Sequence, residues 1–569
     1  MGDMKAILEK KIREALSQLQ EAGTLPVFAV PEVRVERPKD DRFGEYTTNI
    51  ALVSAKLVGK NPMEIARLLQ EKLTSEDFEK IEVAHPGYLN FYFPSRYFQD
   101  IVLSVLQPAY PELPVSRQRE KVMVEYSQPN THKEFHIGHL RNVFIGSTLV
   151  NVFRKTGDIV IAANYIGDTG THIAKCLWGL REFHSGEDLD AVSDKAEFLG
   201  KAYAEATQKI EEKPEYEDAF KALQKKFEEG DADLVALWEK TRQWSLDEFE
   251  RIYAELGVSF DEYFFESVEE QTGKALIPEL LEKGVVKKSE GAIVADLEQY
   301  GLGVLVLVRK DGSALYGLKD IPLAKKKFEM FGIDRSIYVV DIRQELYFRQ
   351  LFKILELYGF HKKMVYCGYE FVALKGGESM SSRKGNVVSA RALIDAMVAK
   401  VIGQFPLSPH PEAIALGAIK FAMLKHSAES KIEFDIEDSV RLDGATGPYV
   451  QYAYARIASI RAKAAEKNIS WEHAIASERA LEEKEKNLIR EISKFPELLL
   501  EVRESYETHK LAHYALRLAD RFHSFYNDCI VIDEKNMKLS GERLRLVLAV
   551  QKVLGETFLL IGISAPEKM

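Results

Sequence analysis

The sequence has 569 residues, 46% of them hydrophobic and 29% charged, and its formal net charge of −11 provides no global basic field for nucleic acid. This length exceeds one compact core and predicts about three or four domains, and no uninterrupted apolar run is long enough to cross a bilayer. The only three cysteines, Cys176, Cys367 and Cys529, lie far apart, which excludes a cysteine-rich zinc site and favours a reducing cytoplasm.

The N-terminal part, residues 1–112, is predicted to be a separate α/β module. It starts with an amphipathic helix rather than a signal peptide. Residues 43–49 indicate a turn that leads into a helix. The other predicted elements are helices over 4–22 and 61–74 and strands over 81–86 and 88–94, followed by a linker at Pro108, Pro111 and Pro114.

Tyr88 and Asn90 alternate with apolar neighbours on the second of these strands, so we expect them to face the same side. An aromatic ring beside an amide can stack on an unpaired RNA base and hydrogen-bond its edge. Cross-strand packing is the commoner reason for such a pair. The two residues alone leave both interpretations open.

The stretch Val122–Phe153 carries the clearest chemical signal. An apolar strand is followed by a polar loop and then by a helix that opens with HIGH, residues 136–139. This connection directs backbone N–H groups and the positive end of the helix dipole at one point, which suits phosphate. Gly138 allows a ligand to approach the backbone closely, and His136 and His139 flank it. The two histidines can instead be a helix cap and a core residue.

A second strand–helix unit follows, with a strand over Ile159–Ala163 and a polar loop over 164–172. Two such units predict a doubly wound, Rossmann-like parallel sheet that binds its ligand at the carboxyl ends of the strands. We assign this catalytic domain to residues 113–375. The acidic, mainly helical segment of about 181–300 is interpreted as an insertion with a solvated face.

After the insertion the sheet is predicted to resume and to end at a Gly- and Ser-rich loop that contains adjacent cations. Its strands are expected at Val304–Val308, Ile337–Asp341 and 364–374, with a turn over 311–320 and a helix from Glu345 to Tyr358. Residues 376–445 are predicted to combine this loop with a connecting helical domain, and 446–569 to form an all-α bundle. The candidate helices are Arg391–Gln404, Pro411–His426, Gly447–Glu466, Glu482–Tyr506, Leu511–Asn527 and Gly541–Gly562.

HIGH and the later MSSRKGN, residues 380–386, resemble the paired signatures of class I aminoacyl-tRNA synthetases. The stretches EYSQPNTHKEFHIGHLRN, NYIGDTGTH, ALYGLKD and DGATGPYVQYAYARI resemble the arginyl-tRNA synthetase family in particular. So do the N-terminal GEYTTNIAL and PGYLNF and the C-terminal YALRLADRFHSFYNDC and APEKM. The resemblance covers nearly the whole chain and implies an additional N-terminal domain for the tRNA elbow and a C-terminal anticodon-binding domain.

The activity implied by the resemblance is a two-step ligase reaction. L-Arginine and ATP would form arginyl-adenylate and pyrophosphate, and the arginyl group would then pass to the terminal adenosine of tRNA. The activation step is expected to require tRNA. The resemblance further implies ATP as its magnesium complex, no structural metal, no membrane partner, a monomer and a cytoplasmic location.

The resemblance assigns arginine binding to Glu125, Asn130, Tyr316, Asp320 and Gln344. The Asp320 carboxylate would accept the guanidinium fork while Tyr316 packs against it. Glu125 and Asn130 would hold the amino-acid end, and Gln344 would add a hydrogen bond. Each residue taken alone can be structural, for example a helix cap at Asp320 or a core aromatic at Tyr316.

The resemblance assigns ATP binding and catalysis to the two signatures. His136 and His139 would contact the phosphates, and Gly138 would leave room for the adenine and ribose. In the second signature, Met380, Ser381 and Lys384 would bind ATP, and Arg383 and Lys384 would close over the departing pyrophosphate on a mobile loop.

The second signature departs from the common class I pattern K-M-S-K-S. Ser379 and Ser382 occupy the two lysine positions, so a cation is missing from the loop. Lys133, three residues before His136, is interpreted as the cation that compensates for this loss.

Candidate RNA contacts lie at both ends of the chain. The resemblance implies that Tyr88 and Asn90 read a base in the tRNA elbow, and that the C-terminal bundle binds the anticodon loop. Aromatic side chains at helical spacing are more often core residues than base platforms. The bundle candidates are Tyr449, Tyr452, Tyr454, Arg456, Arg517, Arg521, His523, Tyr526 and Asn527.

Two alternatives of other kinds remain. The first is another class I nucleotidyl-transfer enzyme, such as a cytidylyltransferase, which normally lacks a long C-terminal bundle, or a cysteinyl enzyme, which needs zinc-binding cysteines. The second is a synthetase-like protein with a dead site that only binds RNA or a partner. The intact HIGH, Arg383 and Lys384 argue against the second.

Overall fold

The computed structural model describes residues 4–111, 113, 118–310, 312–376, 388–472 and 479–569, and its first part is an α/β module. The elements are α1 (Met4–Glu21), β1 (Val35–Glu36), β2 (Tyr46–Thr48), α2 (Ile50–Val58), α3 (Pro62–Leu73), β3 (Lys80–Ala84), β4 (Tyr88–Tyr92) and α4 (Ser95–Leu106). The strands form an antiparallel sheet in the order β1-β2-β4-β3. The prediction of a turn over 43–49 therefore missed the strand β2. Residues of β2 are extended because they pair with β4, which comes later in the chain.

The next part of the chain is organised around a parallel sheet. Its elements are β5 (Lys121–Glu125), α5 (Ile137–Lys155), β6 (Ile159–Ile166), α6 (Thr171–Phe183), α7 (Lys195–Glu212), α8 (Pro214–Glu228), α9 (Ala232–Leu256), β7 (Glu262–Phe265), α10 (Glu266–Glu282), β8 (Lys287–Ser289), β9 (Ala292–Asp296), β10 (Val304–Val308), α11 (Tyr316–Phe331), β11 (Arg335–Asp341), α12 (Glu345–Leu357) and β12 (Lys363–Tyr369). The five-stranded sheet has the order β12-β11-β5-β6-β7, and all its pairings are parallel. The predicted doubly wound sheet is confirmed, and the carboxyl ends of its strands share one edge.

The assignments of Val304–Val308 and of the segment that forms β7 were wrong. Val304–Val308 does not rejoin the parallel sheet, because β10 pairs antiparallel with β9 in a separate three-stranded sheet, β10-β9-β8. β7 lies within the segment interpreted as a helical insertion, yet it pairs with β6 and extends the main sheet. A short apolar run does not reveal its partner, and the partner decides which sheet a strand joins.

The C-terminal part is helical, as predicted. Its elements are β13 (Val372–Leu374), α13 (Ala390–Gln404), α14 (Pro411–Leu424), β14 (Ile432–Phe434), α15 (Ile436–Ser439), α16 (Gly447–Glu466), α17 (Glu483–Ser493), α18 (Phe495–Ser505), α19 (His509–Asp528) and α20 (Met537–Leu560). The strand predicted over 364–374 is two strands, since β13 pairs with β14 and not with the main sheet. The helix predicted over 482–506 is also divided, because Pro496 starts a new helix.

The strand β5 and the helix α5 form the centre of the core around the parallel sheet. Val122, Met123 and Val124 have no exposed surface, as expected for a strand that is covered on both faces. Leu140 and Val143 of α5 are equally buried against this sheet. Among the described residues, no helix is long and apolar enough to span a membrane.

Candidate active site

The loop after β5 has backbone conformations that residues with side chains rarely adopt. Ser127, Gln128 and His132 have φ angles of 74°, 50° and 62°. Such conformations cost about 1–3 kcal/mol each and persist only when surrounding contacts fix them. Asn142 Oδ1 of α5 accepts the Ser127 N–H at 2.6 Å, and Asn164 Oδ1 of β6 accepts the Gln128 N–H at 3.1 Å.

The helix α9 supplies the other contacts that fix this loop. Tyr253 and Ser127 share a hydrogen bond of 2.7 Å between their hydroxyls. His132 Nε2 lies 2.7 Å from Thr241 Oγ1, and the His132 N–H donates to Ser245 Oγ at 3.0 Å. All five residues are buried. A helix of the insertion therefore determines the shape of a loop in the nucleotide-type core.

The carboxyl end of α9 is fixed by residues that follow the second signature. Arg391, at the start of α13, donates to the Glu255 carboxylate at 3.0 Å. The buried Lys420 of α14 donates to the carbonyl oxygens of Leu256, at 2.7 Å, and Gly562. Burial lowers the pKa of Lys420 to about 8. These bonds tie α9 to the C-terminal half of the chain.

The two histidines of HIGH cap the start of α5. His136 Nδ1 accepts the Gly138 N–H at 3.1 Å, and His139 Nδ1 accepts the His136 N–H at 3.1 Å. Because each Nδ1 accepts, the proton of each neutral ring is on Nε2. Burial lowers the pKa of His136 to about 4 and holds that of His139 well below its ordinary value. At neutral pH both rings are therefore uncharged and offer an Nε2–H donor.

The segment after the second signature is joined to the first signature. The Ile137 N–H donates to the Val388 carbonyl at 3.3 Å, and His136 and Ser389 form an antiparallel bridge. Residues 377–387 lie outside the described residues, and with them the predicted Met380, Ser381, Arg383 and Lys384. Val388 and Ser389, the first described residues after the second signature, therefore lie beside the HIGH motif.

Lys133 lies near the histidines and is half-buried. Its ammonium lies 5.6 Å from the centre of the Tyr203 ring. Burial, together with the nearby Lys175, lowers the pKa of Lys133. The positive charge of Lys133 also contributes, after burial, to the lowered pKa of His136. A half-buried cation beside the imidazole donors is suited to a phosphate.

A cavity of about 330 Å³ opens at the carboxyl edge of the parallel sheet. The structure brings all the predicted arginine-binding residues to its wall, and none lies elsewhere. The residues that line it are Glu125, Gln128, Asn130, Tyr165, Gly167, Glu266, Tyr316, Asp320, Leu323, Lys327, Tyr338, Val340, Gln344, Tyr347, Phe348 and Leu351. Its size suits a small molecule, and its polar groups converge from several elements.

Asp320 gives this cavity an unmatched acceptor. Its Oδ2 accepts a hydrogen bond from the Tyr347 hydroxyl, whereas its Oδ1 is buried and has no partner among the described residues. Burial raises the pKa of Asp320 to about 6. Burial also raises the pKa of Glu266, on the same wall, to about 7. The cavity therefore presents two acids that a cationic ligand would hold in the ionised form.

Glu125 is paired with protein groups in the described structure. Its Oε2 accepts from the Lys327 ammonium, and its Oε1 accepts from Gln128 Nε2 at 2.9 Å. Tyr316 is 60% exposed and Gln344 is also exposed, so these two residues lie at the mouth of the cavity. Among the described residues, no group of three or more His, Cys, Asp or Glu side chains could hold a metal ion.

Sequence reasoning missed several residues of the cavity wall. Glu266 follows β7 directly, so a correct strand assignment would have placed it at a strand end. Tyr347 lies three residues after the predicted Gln344, in the first turn of α12, and lines the same cavity. Lys327 gave no signal, because a lysine within the run Lys325–Lys327 is usually exposed.

The predicted N-terminal RNA contacts differ in exposure. Tyr88 is 37% exposed and Asn90 only 3%. Asn90 Oδ1 accepts a hydrogen bond of 2.8 Å from the Thr47 hydroxyl on the neighbouring strand. The hydrogen bond across the strands therefore occupies the side-chain oxygen of Asn90. The Tyr88 ring, in contrast, is exposed and can contact a partner.

The C-terminal candidates include one aromatic–cation cluster on α16 and α19. The Arg456 guanidinium lies 5.5 Å from the centre of the Tyr452 ring and 4.6 Å from that of Tyr526. His523 stacks on Tyr452, with ring centres 6.1 Å apart. Tyr449 joins the cluster through a ring contact of 5.2 Å with His523. This arrangement is of the kind that binds unpaired bases.

Arg517 is separate from that cluster. Its guanidinium donates to Glu491 Oε1 at 3.1 Å, so its side chain is already paired with α17.

Comparison with known proteins agrees with this geometry. Three family models match the chain: "tRNA synthetases class I (R), catalytic domain" over 104–436, "DALR anticodon binding domain" over 450–569 and "Arginyl tRNA synthetase N terminal domain" over 6–93. Arginine–tRNA ligases of Bdellovibrio bacteriovorus (33% identical, 94% of each chain) and Parabacteroides distasonis (31% identical, 95% of this chain and 96% of that one) are among its relatives. The solved structure of Thermus thermophilus arginyl-tRNA synthetase is 28% identical, with a TM-score of 0.79 and full coverage of both chains. The chain therefore belongs to the arginyl-tRNA synthetase family of class I aminoacyl-tRNA synthetases.

Proposed function

We propose that this chain is an arginine–tRNA ligase, and the observation that carries the proposal is the buried, unpartnered Oδ1 of Asp320 in the cavity at the sheet edge. Arginine carries a planar, permanently charged guanidinium whose forked donors match a carboxylate. The family membership and the arginine–tRNA ligase relatives support the same function. The chain activates L-arginine with ATP and then transfers it to its cognate tRNA.

The cavity acts by orienting arginine. Asp320 Oδ1 accepts from the guanidinium, and Tyr316 packs against it at the mouth of the cavity. Glu125 and Asn130 hold the amino-acid end, and Gln344 adds a hydrogen bond. The arginine carboxylate is then free to attack the α-phosphorus of ATP, forming a new P–O bond while the bond to pyrophosphate breaks. Neither step needs a covalent enzyme nucleophile, so the residues contribute alignment and charge stabilisation.

The two signatures act on the phosphates. His136 and His139 donate their Nε2–H groups to phosphate oxygens, and Gly138 leaves room for the nucleoside. Lys133 supplies the cation that the second signature lacks. Met380, Ser381 and Lys384 bind ATP, and Arg383 and Lys384 close over the pyrophosphate. Magnesium arrives with ATP as part of the substrate.

Lysine is excluded without an editing reaction. A lysine side chain ends in a single ammonium, which is not a planar fork. Buried acceptors that are built for a guanidinium would be left unpaired, and this discriminates strongly against the wrong substrate.

The RNA side of the proposal uses both ends of the chain. Residues 1–112 bind the tRNA elbow through Tyr88 and Asn90, and 446–569 bind the anticodon loop. The candidates in the bundle are Tyr449, Tyr452, Arg456, Arg517 and Tyr526. The catalytic domain is assigned to 113–375 and the connecting domain to 376–445. We further propose a monomer that acts in the cytoplasm and requires tRNA for activation, and the three buried, free cysteines support a reducing compartment.

The function is tested by charging total tRNA with each radiolabelled amino acid in turn, with and without ATP. We expect ATP-dependent labelling by arginine and none by lysine. Labelling by another amino acid would overturn the substrate, and the absence of any labelling would favour the protein with a dead site.

The pH dependence of arginine use provides a further prediction. The raised pKa values of Asp320, about 6, and Glu266, about 7, mean that both acids take up protons as the pH falls through this range. The guanidinium requires their ionised forms, so arginine binding releases protons. We expect the KM for arginine to rise roughly tenfold or more from about pH 8 to about pH 6.

Steady-state aminoacylation over this pH range measures the effect, and the KM for ATP in the same assays is the internal control. If the KM for arginine is constant while kcat falls, the acids of the cavity do not bind the substrate in their ionised form.

A further inference from the structure

The cavity contains a buried cation that the reaction scheme above does not use. The side chain of Lys327 is only 1% exposed, and its ammonium donates to Glu125 Oε2. The same ammonium lies 4.7 Å from the centre of the Tyr338 ring and 5.5 Å from that of Phe264. A positive charge in a pocket for a cationic amino acid repels the substrate unless an acidic side chain is paired with it.

Lys327 remains charged in this position. Burial disfavours its ammonium, but Glu125, Tyr338 and Asp320 outweigh burial and raise its pKa. A buried charge is tolerated only when it is paired and hydrogen-bonded. Lys327 and Glu125 are therefore a mutually dependent pair at the floor of the cavity.

The pair has a definite geometry relative to Asp320. Lys327 and Asp320 are seven residues apart on α11, which is two helical turns, so both project from one face. Glu125 reaches the same cavity from the end of β5. Its carboxylate is held at both oxygens, by Lys327 at Oε2 and by Gln128 Nε2 at Oε1.

We propose that Lys327 is a positioning residue of the arginine site, which holds the Glu125 carboxylate in the orientation in which Glu125 and Asp320 can bind one substrate together. This inference rests on the proposed arginine-binding function. The carboxylates of Glu125 and Asp320 repel each other, and the ammonium of Lys327 reduces that repulsion. In agreement, Glu125 contributes to raising the pKa of Asp320, after burial, while Lys327 opposes the rise.

The other charged and titratable groups around Glu125 come from every element packed on the cavity. They are Lys319 and Asp320 of α11, Tyr338 of β11, Tyr347 of α12, Tyr165 of β6 and Glu266 of α10. Among them, Lys319 is paired with Glu270 at 3.0 Å. Lys327 is thus the cation in direct contact with Glu125.

The test uses Lys327→Met, which removes the charge and keeps an unbranched chain. Glu125 would then be buried without its counter-ion, and its carboxylate would lose the contact that orients it. We expect the KM for arginine to rise about tenfold or more, because a displaced carboxylate no longer meets the amino-acid end of the substrate. The KM for ATP should be unchanged, and Lys327→Arg, which keeps the cation, should retain most of the affinity for arginine.

Lys325→Met is the matched control on the same helix. Lys325 donates to the Tyr358 hydroxyl at 3.0 Å and does not line the cavity. Its removal should leave the KM for arginine unchanged.

The double variant Lys327→Met/Glu125→Gln keeps the test decisive if the single variant does not fold, because it leaves no unpaired charge. If Lys327 acts through Glu125, the double variant should have the arginine kinetics of Glu125→Gln alone. A wild-type KM for arginine in Lys327→Met, or additive losses in the double variant, would overturn the inference. If the wild-type enzyme charges tRNA with arginine in the same assays, the proposed function stands whichever result the variants give.

Discussion

Asp320→Ala is expected to raise the KM for arginine by roughly two to three orders of magnitude. Removal of one partner of a buried charge pair typically costs about 3–5 kcal/mol, and each 1.4 kcal/mol is about tenfold in affinity. The structure adds a second loss, because the Tyr347 hydroxyl would lose its acceptor. Asp320→Asn keeps an oxygen but not the charge, so its defect should be intermediate.

Aminoacylation kinetics with varied arginine measure this effect, and Asp296→Ala is the matched control. Asp296 pairs with Lys287 outside the cavity, on the small antiparallel sheet. The control should retain the wild-type KM for arginine. Arginine use by Asp320→Ala at the wild-type KM would refute the guanidinium site.

Lys133→Ala is expected to lower the rate of adenylate formation by roughly 100- to 1,000-fold, which is the usual loss when one preorganised donor to a developing charge is removed. The KM for arginine should hardly change, because Lys133 does not line the arginine cavity. A selective loss of kcat indicates an interaction that is made in the transition state.

Pre-steady-state measurement of adenylate formation in the presence of tRNA tests the role of Lys133. Lys213→Ala is the control, since that ammonium also lies over a tyrosine ring, 5.1 Å from the centre of Tyr216, but on the exposed surface of the insertion. Formation of adenylate by Lys133→Ala at the wild-type rate would show that the cation missing from the second signature is supplied elsewhere.

The residues that the sequence identified lie in motifs with local order. HIGH could be assigned to a helix start because a polar loop separates it from an apolar strand, and its histidines do cap α5. Asp320 was identified through the resemblance of ALYGLKD to the arginyl-tRNA synthetase family, since the residue taken alone could equally be a helix cap. Where a motif and an element boundary coincide, the direction of the side chains follows from the element alone.

The residues that the sequence missed depend on contacts between distant parts of the chain. β7 has only four residues between helices, so its strand character appears only when it pairs with β6. The positive φ of Ser127 could not be predicted either, because serine does not favour this conformation. The hydroxyl of Tyr253, which hydrogen-bonds to that of Ser127, is 126 residues away in the sequence. Lys327 was hidden because its buried state depends on Glu125, across the cavity.

The support of the loop by α9 bears on how this enzyme can be shortened. An engineer who reads the sequence would delete the helical insertion as a surface appendage and close the gap with a linker. Such a deletion would remove Thr241, Ser245 and Tyr253, and Ser127 and His132 would relax to commoner backbone angles. A minimal enzyme must therefore retain α9, while the exposed outer turns of α8 are the reasonable place to trim.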